Sequence, residues 1–158
     1  MIVKCVNSSI NELPKYATPD SSGVDLKADF KYGVNKDFLF NSEFTDYLVI
    51  NPGGRALIPT NIFTEIPSGY EVQIRSRSGL ALKQGVFVAN GIGTIDADFR
   101  NSWGVILMNQ GDKPFIIQQG DRIAQAVLVK VEKIEWEEVL SLNDTKRGLG
   151  GYGSTGKN

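Results

Sequence analysis

The sequence predicts an all-β domain, a barrel or a sandwich. Apolar residues come in short stretches broken by Gly, Pro, Asn and Asp, not in long helical stripes. Several of these stretches alternate with period two. In YEVQIRSR (70–77), Tyr70, Val72 and Ile74 fall on one face. Turn signals recur between them, most clearly at Gly53-Gly54, Pro67-Ser68-Gly69 and Gln110-Gly111-Asp112.

Taken in order, IVKCV near the start alternates as a strand does. YGVNKDFLFNSEFTDYL (32–48) mixes aromatics and acids without a clean period, and reads as a long hairpin or loop. RALIPTNIFTEI (55–66) reads as two strands around Pro59-Thr60-Asn61. One segment, SGLALKQG (78–85), has the composition of a helix of about two turns. GVFVAN, WGVILMN, PFIIQQ and RIAQAVLVKVEKIEW continue as strands. From about Leu142 the chain turns polar and glycine-rich, as a flexible arm would. The expected division is therefore a β-barrel over 1–141 and an arm over 142–158.

The 158 residues suit one domain, and a 41% hydrophobic content is enough for one real core. A formal net charge of −1 argues against a bulk electrostatic grip on nucleic acid, but leaves room for a small anion held by local cations. The single cysteine, Cys5, can form no internal disulfide and fits a reducing compartment. The chain has no histidine, which removes histidine bases, Ser-His triads and His-ligated zinc. Neither a signal peptide nor a membrane-spanning apolar run is expected.

Five stretches have the residue types for chemistry. In SSGVDL (21–26), Asp25 sits in a strand and is expected to pair with an arginine or cap a turn. RSRSGLALK (75–83) leads two arginines, Ser78 and Gly79 into the helix. That suits either an anion site or a Ser N-cap with solvated arginines. NGIGTIDADFR (90–100) reads as a glycine-rich β-hairpin open to a flat ligand. Asp96 and Asp98 share a face there if the segment stays extended. Alternatively, they only cap backbone amides. GDRIAQ (120–125) carries an Asp121/Arg122 pair, expected to be structural, and Gln125. RGLGGYGSTGKN (147–158) nearly fits a phosphate loop, but Asn158 stands where Ser or Thr is needed and no helix follows in the sequence. Its glycines, Ser154, Thr155 and Arg147 favour anions all the same, against the reading of a plain Gly/Ser tail.

Together and in this order, ATPDSSGVDL (17–26), RSRSGLALK, NGIGTIDADFR, GDRIAQ and RGLGGYGSTG resemble the five motifs of the trimeric dUTPase family. The resemblance spans nearly the whole chain. It implies a jelly-roll-like β fold, a homotrimer whose sites are shared between subunits, and hydrolysis of dUTP to dUMP and pyrophosphate with Mg²⁺ on the triphosphate. Such a reaction limits uracil in DNA and supplies dUMP for thymidylate synthesis. By position, Asp96 would hold the attacking water as base. Main chain of 90–96, including Gly93, Thr94 and Ile95, would read the uracil edge with Asn90. Phe99 would pack under the deoxyribose. Arg77, Ser78, Gly79 and Gln125 would bind phosphates, and Arg147, Ser154 and Thr155 would close on the outer ones. Tyr152 would stack on the base beside Gly153. Asp25, Asp121 and Arg122 would be structural. No direct protein ligand to the metal is expected, nor any nucleic acid or membrane partner. The location implied is cytoplasmic, or nuclear in a eukaryotic or viral setting.

The sequence departs from the family's usual pattern at several points. Phe99 replaces a Tyr, Tyr152 a Phe, Ser76 a Pro and Asn101 a Gly, and the 32–48 segment is longer than usual. A dCTP deaminase-like or bifunctional relative, or a non-catalytic nucleotide-binding regulatory module, remain alternatives on the same fold.

Overall fold

The computed structural model of the protein describes residues 1–151. Among these residues, eleven strands and one α-helix make a jelly-roll-like β fold. The strands are β1 (Lys4–Asn7), β2 (Val24–Lys27), β3 (Leu39–Phe44), β4 (Leu48–Pro59), β5 (Ile62–Glu65), β6 (Tyr70–Arg75), β7 (Val86–Val88), β8 (Ile92–Ile95), β9 (Gly104–Asn109), β10 (Phe115–Ile117) and β11 (Arg122–Lys130). Every strand pair is antiparallel. β2-β11-β6-β8 form a four-stranded sheet. β10-β4-β9-β7, with β3 beside β4, form a five-stranded one, and β1 pairs β5.

The two larger sheets share one core. Leu48, Ile50, Ala56, Ile58, Val105 and Leu107 come from the five-stranded sheet. Leu26, Val72, Ile74, Ala124 and Ala126 come from the four-stranded one. Strand alternation explains both sets. Val72 and Ile74 point inward, with Tyr70 half-buried in line with them, while Glu71, Gln73 and Arg75 point outward. On that outer face Arg75 donates to Gln73 Oε1 and Gln73 Nε2 donates to Glu71 Oε1 (2.7 Å), a polar ladder along β6. Trp103 closes the core at 6% exposure, its backbone clamped by Thr60 and Ile62.

Two expected turns behave differently. Pro67–Gly69 is a turn, closed by Tyr70 N–H to the Pro67 carbonyl. Gly53-Gly54 is not: both lie inside β4, which runs on from Leu48. Gly53 has φ +76° and faces the shifted register opposite Phe40 and Ser42, so the glycines make a bulge rather than a reversal. The 32–48 segment resolves into a 3-10 turn (Lys36–Phe38) and the β3–β4 hairpin. The helix α1 (Ser78–Gln84) ends on Gly85, whose φ of +66° is the left-handed cap. β11 stops at Lys130, short of the strand expected through Trp136, and residues 131–151 form no strand.

Buried Asp29 fastens the N-terminal loop. It accepts hydrogen bonds from the Ile10 and Lys31 amides, each at 3.0 Å. Burial pushes its pKa up. Hydrogen bonds from the Ser9 side chain, Lys31 N–H, the Asn61 side chain and Ile10 N–H together outweigh that, and hold it below the ordinary value.

Candidate active site

The 90–100 stretch does not form the expected hairpin: it holds one strand, β8, followed by a turn. β7 pairs β9 in one sheet, and β8 pairs β6 in the other. Residues 89–91 carry the chain across the seam between them. Gly91 takes φ +74°, its N–H bonds the Val88 carbonyl and the Ile92 N–H bonds the Asn90 carbonyl. The crossing opens a recess of about 320 Å³. Asn90, Gly93, Thr94, Ile95 and Phe99 line it, over an apolar floor that includes Ile74. A Cβ on Gly93 would sit 3.2 Å from Ile74 Cβ, so only glycine leaves both the floor and the backbone this open. Such a slot, apolar below with peptide groups at its edge, suits a flat heterocycle.

Asp96 lies just beyond β8, in a turn closed by Phe99 N–H to its carbonyl (3.1 Å). Arg100 braces that turn by donating to the Ala97 carbonyl at 2.7 Å. The segment is therefore not extended, and strand alternation does not align Asp96 with Asp98. Both nevertheless line one recess, with Glu71 and Arg100.

The second cluster gathers at the other motifs. Asp25 on β2 holds two guanidiniums: Arg77 Nε at 3.1 Å from one carboxylate oxygen and Arg122 Nη1 at 3.1 Å from the other. The expected arginine partner of Asp25 is thus present. The expected Asp121/Arg122 pair is not formed. Asp121 instead accepts from the Gln118 amide and closes the β10–β11 turn. Arg77 also donates to the Arg122 carbonyl at 2.9 Å. A guanidinium carries five N–H donors, so Arg77 keeps others for an anion. Two cations on one carboxylate leave a local positive excess in a chain of net charge −1.

Arg77 occupies the N-cap of α1, with Ser78 and Gly79 as the first helical residues. Ser78 is therefore not the cap, and Arg77 is ion-paired, not merely solvated. Gly79 faces open space. Gln125 on β11 pairs in register with both Asp25 and Arg75, and its Nε2 donates to the Ser76 carbonyl at 3.0 Å. Arg77 and Arg122 line a recess of about 490 Å³ that the slot does not share. Within one chain, then, the slot and the cationic cluster open separately.

Arg147 folds back on its own turn, donating to the Gly150 carbonyl at 3.0 Å. Tyr152, Gly153, Ser154 and Thr155 lie outside the described residues. Among the described residues, no group of three or more His, Cys, Asp or Glu is arranged to hold a metal ion.

The dUTPase family model matches residues 39–156. A curated relative, the deoxyuridine 5'-triphosphate nucleotidohydrolase of Anaplasma marginale (strain St. Maries), is 48% identical over 144 residues, 91% of this chain and 88% of its own.

The chain belongs to the dUTPase family.

The corresponding protein of Chlamydia muridarum (strain MoPn / Nigg) is 46% identical, over 97% of both chains. Among solved structures, a variant of the Staphylococcus bacteriophage 80alpha dUTPase with dUpNHpp shares the fold at a TM-score of 0.79. It is 22% identical and the match covers 98% of each chain. A variant of the dUTPase from S. aureus phage phi11, described for its coordination of a structural Mg(II) ion, matches at a TM-score of 0.73 and 19% identity, over 91% of this chain and all of its own.

One connecting residue had no signal in the sequence. Ser76 stands out there only as a departure from proline. In the fold its Oγ accepts the Val88 N–H at 2.9 Å.

Proposed function

We propose that this protein hydrolyses dUTP to dUMP and pyrophosphate. The observation that carries the reading is a family match through residues 39–156, which takes in the base slot, the Arg77 turn and the Gln125 strand. In this reading Asp96 holds a water in line with the α-phosphorus and takes its proton. An oxygen–phosphorus bond forms, the α–β bridging bond breaks, and pyrophosphate leaves with that electron pair. Peptide groups of 90–96 and Asn90 complement the uracil edge. Cytosine would leave them unpaired, a loss worth orders of magnitude in a site built on hydrogen bonds. Phe99 lies under the deoxyribose and clashes with a 2′-hydroxyl.

Arg77, Ser78, Gly79 and Gln125 bind the phosphates from the cationic cluster. Arg147, Ser154 and Thr155 close over the outer ones, and Tyr152 with Gly153 covers the base. The donor set fits Mg²⁺ carried by the substrate: phosphate oxygens and water suit that ion, Asp25 is already shared by two arginines, and Asp121 accepts from the Gln118 amide. When bound, the ion neutralises phosphate charge.

The complete site is read as shared between copies in a homotrimer. The separate openings of the slot and the cluster support that. So do the exposed apolar side chains after β11, where Ile134 and Trp136 stand at 70% and 88% exposure and Leu140 is fully exposed.

The test is pyrophosphate release from dUTP, dTTP, dCTP and UTP, with and without Mg²⁺. Turnover of dUTP alone is expected. Asp96→Asn should bind dUTP normally and lose roughly a hundredfold or more in kcat. Equal turnover of dTTP would refute the slot assignment, and full turnover by the Asp96 variant would refute the base.

A further inference from the structure

We infer that Ser76 is a positioning residue that fixes the phosphate-binding turn against the base slot. The inference rests on the functional reading above and assigns Ser76 a role within it. Ser76 stands between the end of β6 and Arg77, and makes two bonds in different directions. Its Oγ accepts the Val88 N–H at 2.9 Å, and its carbonyl accepts Gln125 Nε2 at 3.0 Å. Val88 is the last residue of β7 and leads directly into the 89–91 crossing that carries Asn90. It is 1% exposed, so its N–H has no ready recourse to water if the hydroxyl is removed.

The geometry matters because β6 and β7 belong to different sheets. No ladder hydrogen bond joins Ser76 to Val88, and the Oγ contact takes its place. The same residue therefore ties together three parts of the site: the Arg77 turn that follows it, the crossing that opens the slot, and the Gln125 side chain. Gln125 is confined from its other side as well. A Cβ on Gly23 would come within 2.9 Å of Gln125 Oε1. With the hydroxyl gone, the crossing can slide against the Arg77 turn, and both halves of the site lose their preset shape.

Each half can be probed alone, with deoxyuridine for the slot and inorganic tripolyphosphate for the cluster. Ser76→Ala is expected to weaken both by roughly fivefold to tenfold, the loss expected for one buried hydrogen bond. The KM for dUTP should rise by more than kcat falls. Ser76→Thr, which keeps the Oγ, should restore both affinities, and the Val88 amide should lose hydrogen-exchange protection only in the alanine variant. Should that variant fold poorly, Ser76→Cys keeps the volume with a weaker acceptor and should show an intermediate loss.

A lower melting temperature with both fragment affinities intact would overturn the inference, leaving Ser76 only structural. So would the weakening of one fragment alone. If the wild-type protein bound neither fragment and left dUTP intact, the functional reading itself would fall, and this role with it.

Discussion

Asp25 holds two guanidiniums with one carboxylate, and both partners belong to stretches distant in sequence. Its side chain is 32% exposed and that of Arg77 26%, so water screens that pair only in part, while Arg122 at 58% is screened more and adds less. Asp25→Asn keeps the shape and removes the charge. The expected result is a loss of about 1 kcal/mol in urea unfolding and a KM for dUTP raised by about tenfold, because Arg77 is no longer aimed. Asp29 makes a different prediction. Its folded pKa lies below the ordinary 3.8, so its contribution to stability is complete above that value. The contribution is lost as pH falls through the lower folded pKa. Unfolding of the wild type and of Asp29→Asn at a series of pH values should therefore show a gap that is full near neutrality and shrinks in acid. The pairing of Asp25 with an arginine was legible because a carboxylate between Val24 and Leu26 in a strand needs a partner. Asp29 gave no such sign. What sets it apart is a loop 19 residues away folding over it.

At the scale of elements, the period-two pattern located the strands well, and the composition of 78–85 located the helix. It failed where neighbours decide. Gly53-Gly54 has the composition of a turn, yet β3, β9 and β10 line both edges of β4 and hold the pair as a bulge. Gly54 is the fixed point. A Cβ there would run into the Asn41 carbonyl, with those of Asn51 and Phe40 only 2.9 Å away. Gly54→Ala should cost about 3 kcal/mol in urea unfolding, while kcat of the folded fraction stays near wild type. The 90–100 stretch misled for a related reason. Its glycines read locally as a hairpin, but its one strand, β8, pairs β6 while β7 before it pairs β9, and the crossing between them is what opens the slot.

For the whole molecule, the family was legible through the order of five motifs along the chain, each of them weak alone. The division of the motif residues among separate openings (the slot, the recess of Asp96 and the cationic cluster) was not, since it depends on which sheet each strand joins. Among the described residues regular structure ends at Lys130, and Ile134, Trp136, Val139, Leu140, Leu142 and Leu149 face solvent. Removing residues 147–158 should leave a folded protein with the wild-type number of copies by light scattering, read as a trimer, and with little activity. Normal turnover by that truncation would make the segment a mere tail. The two tryptophans of the chain lie at opposite extremes, Trp103 at 6% exposure and Trp136 at 88%. They therefore give two separable optical signals. Trp103 emits from an apolar core and reports on unfolding. Trp136 emits from water, at longer wavelength, until another surface covers it. A blue shift of the Trp136 emission as protein concentration rises, with Trp103 unchanged, would record assembly in the absence of any substrate.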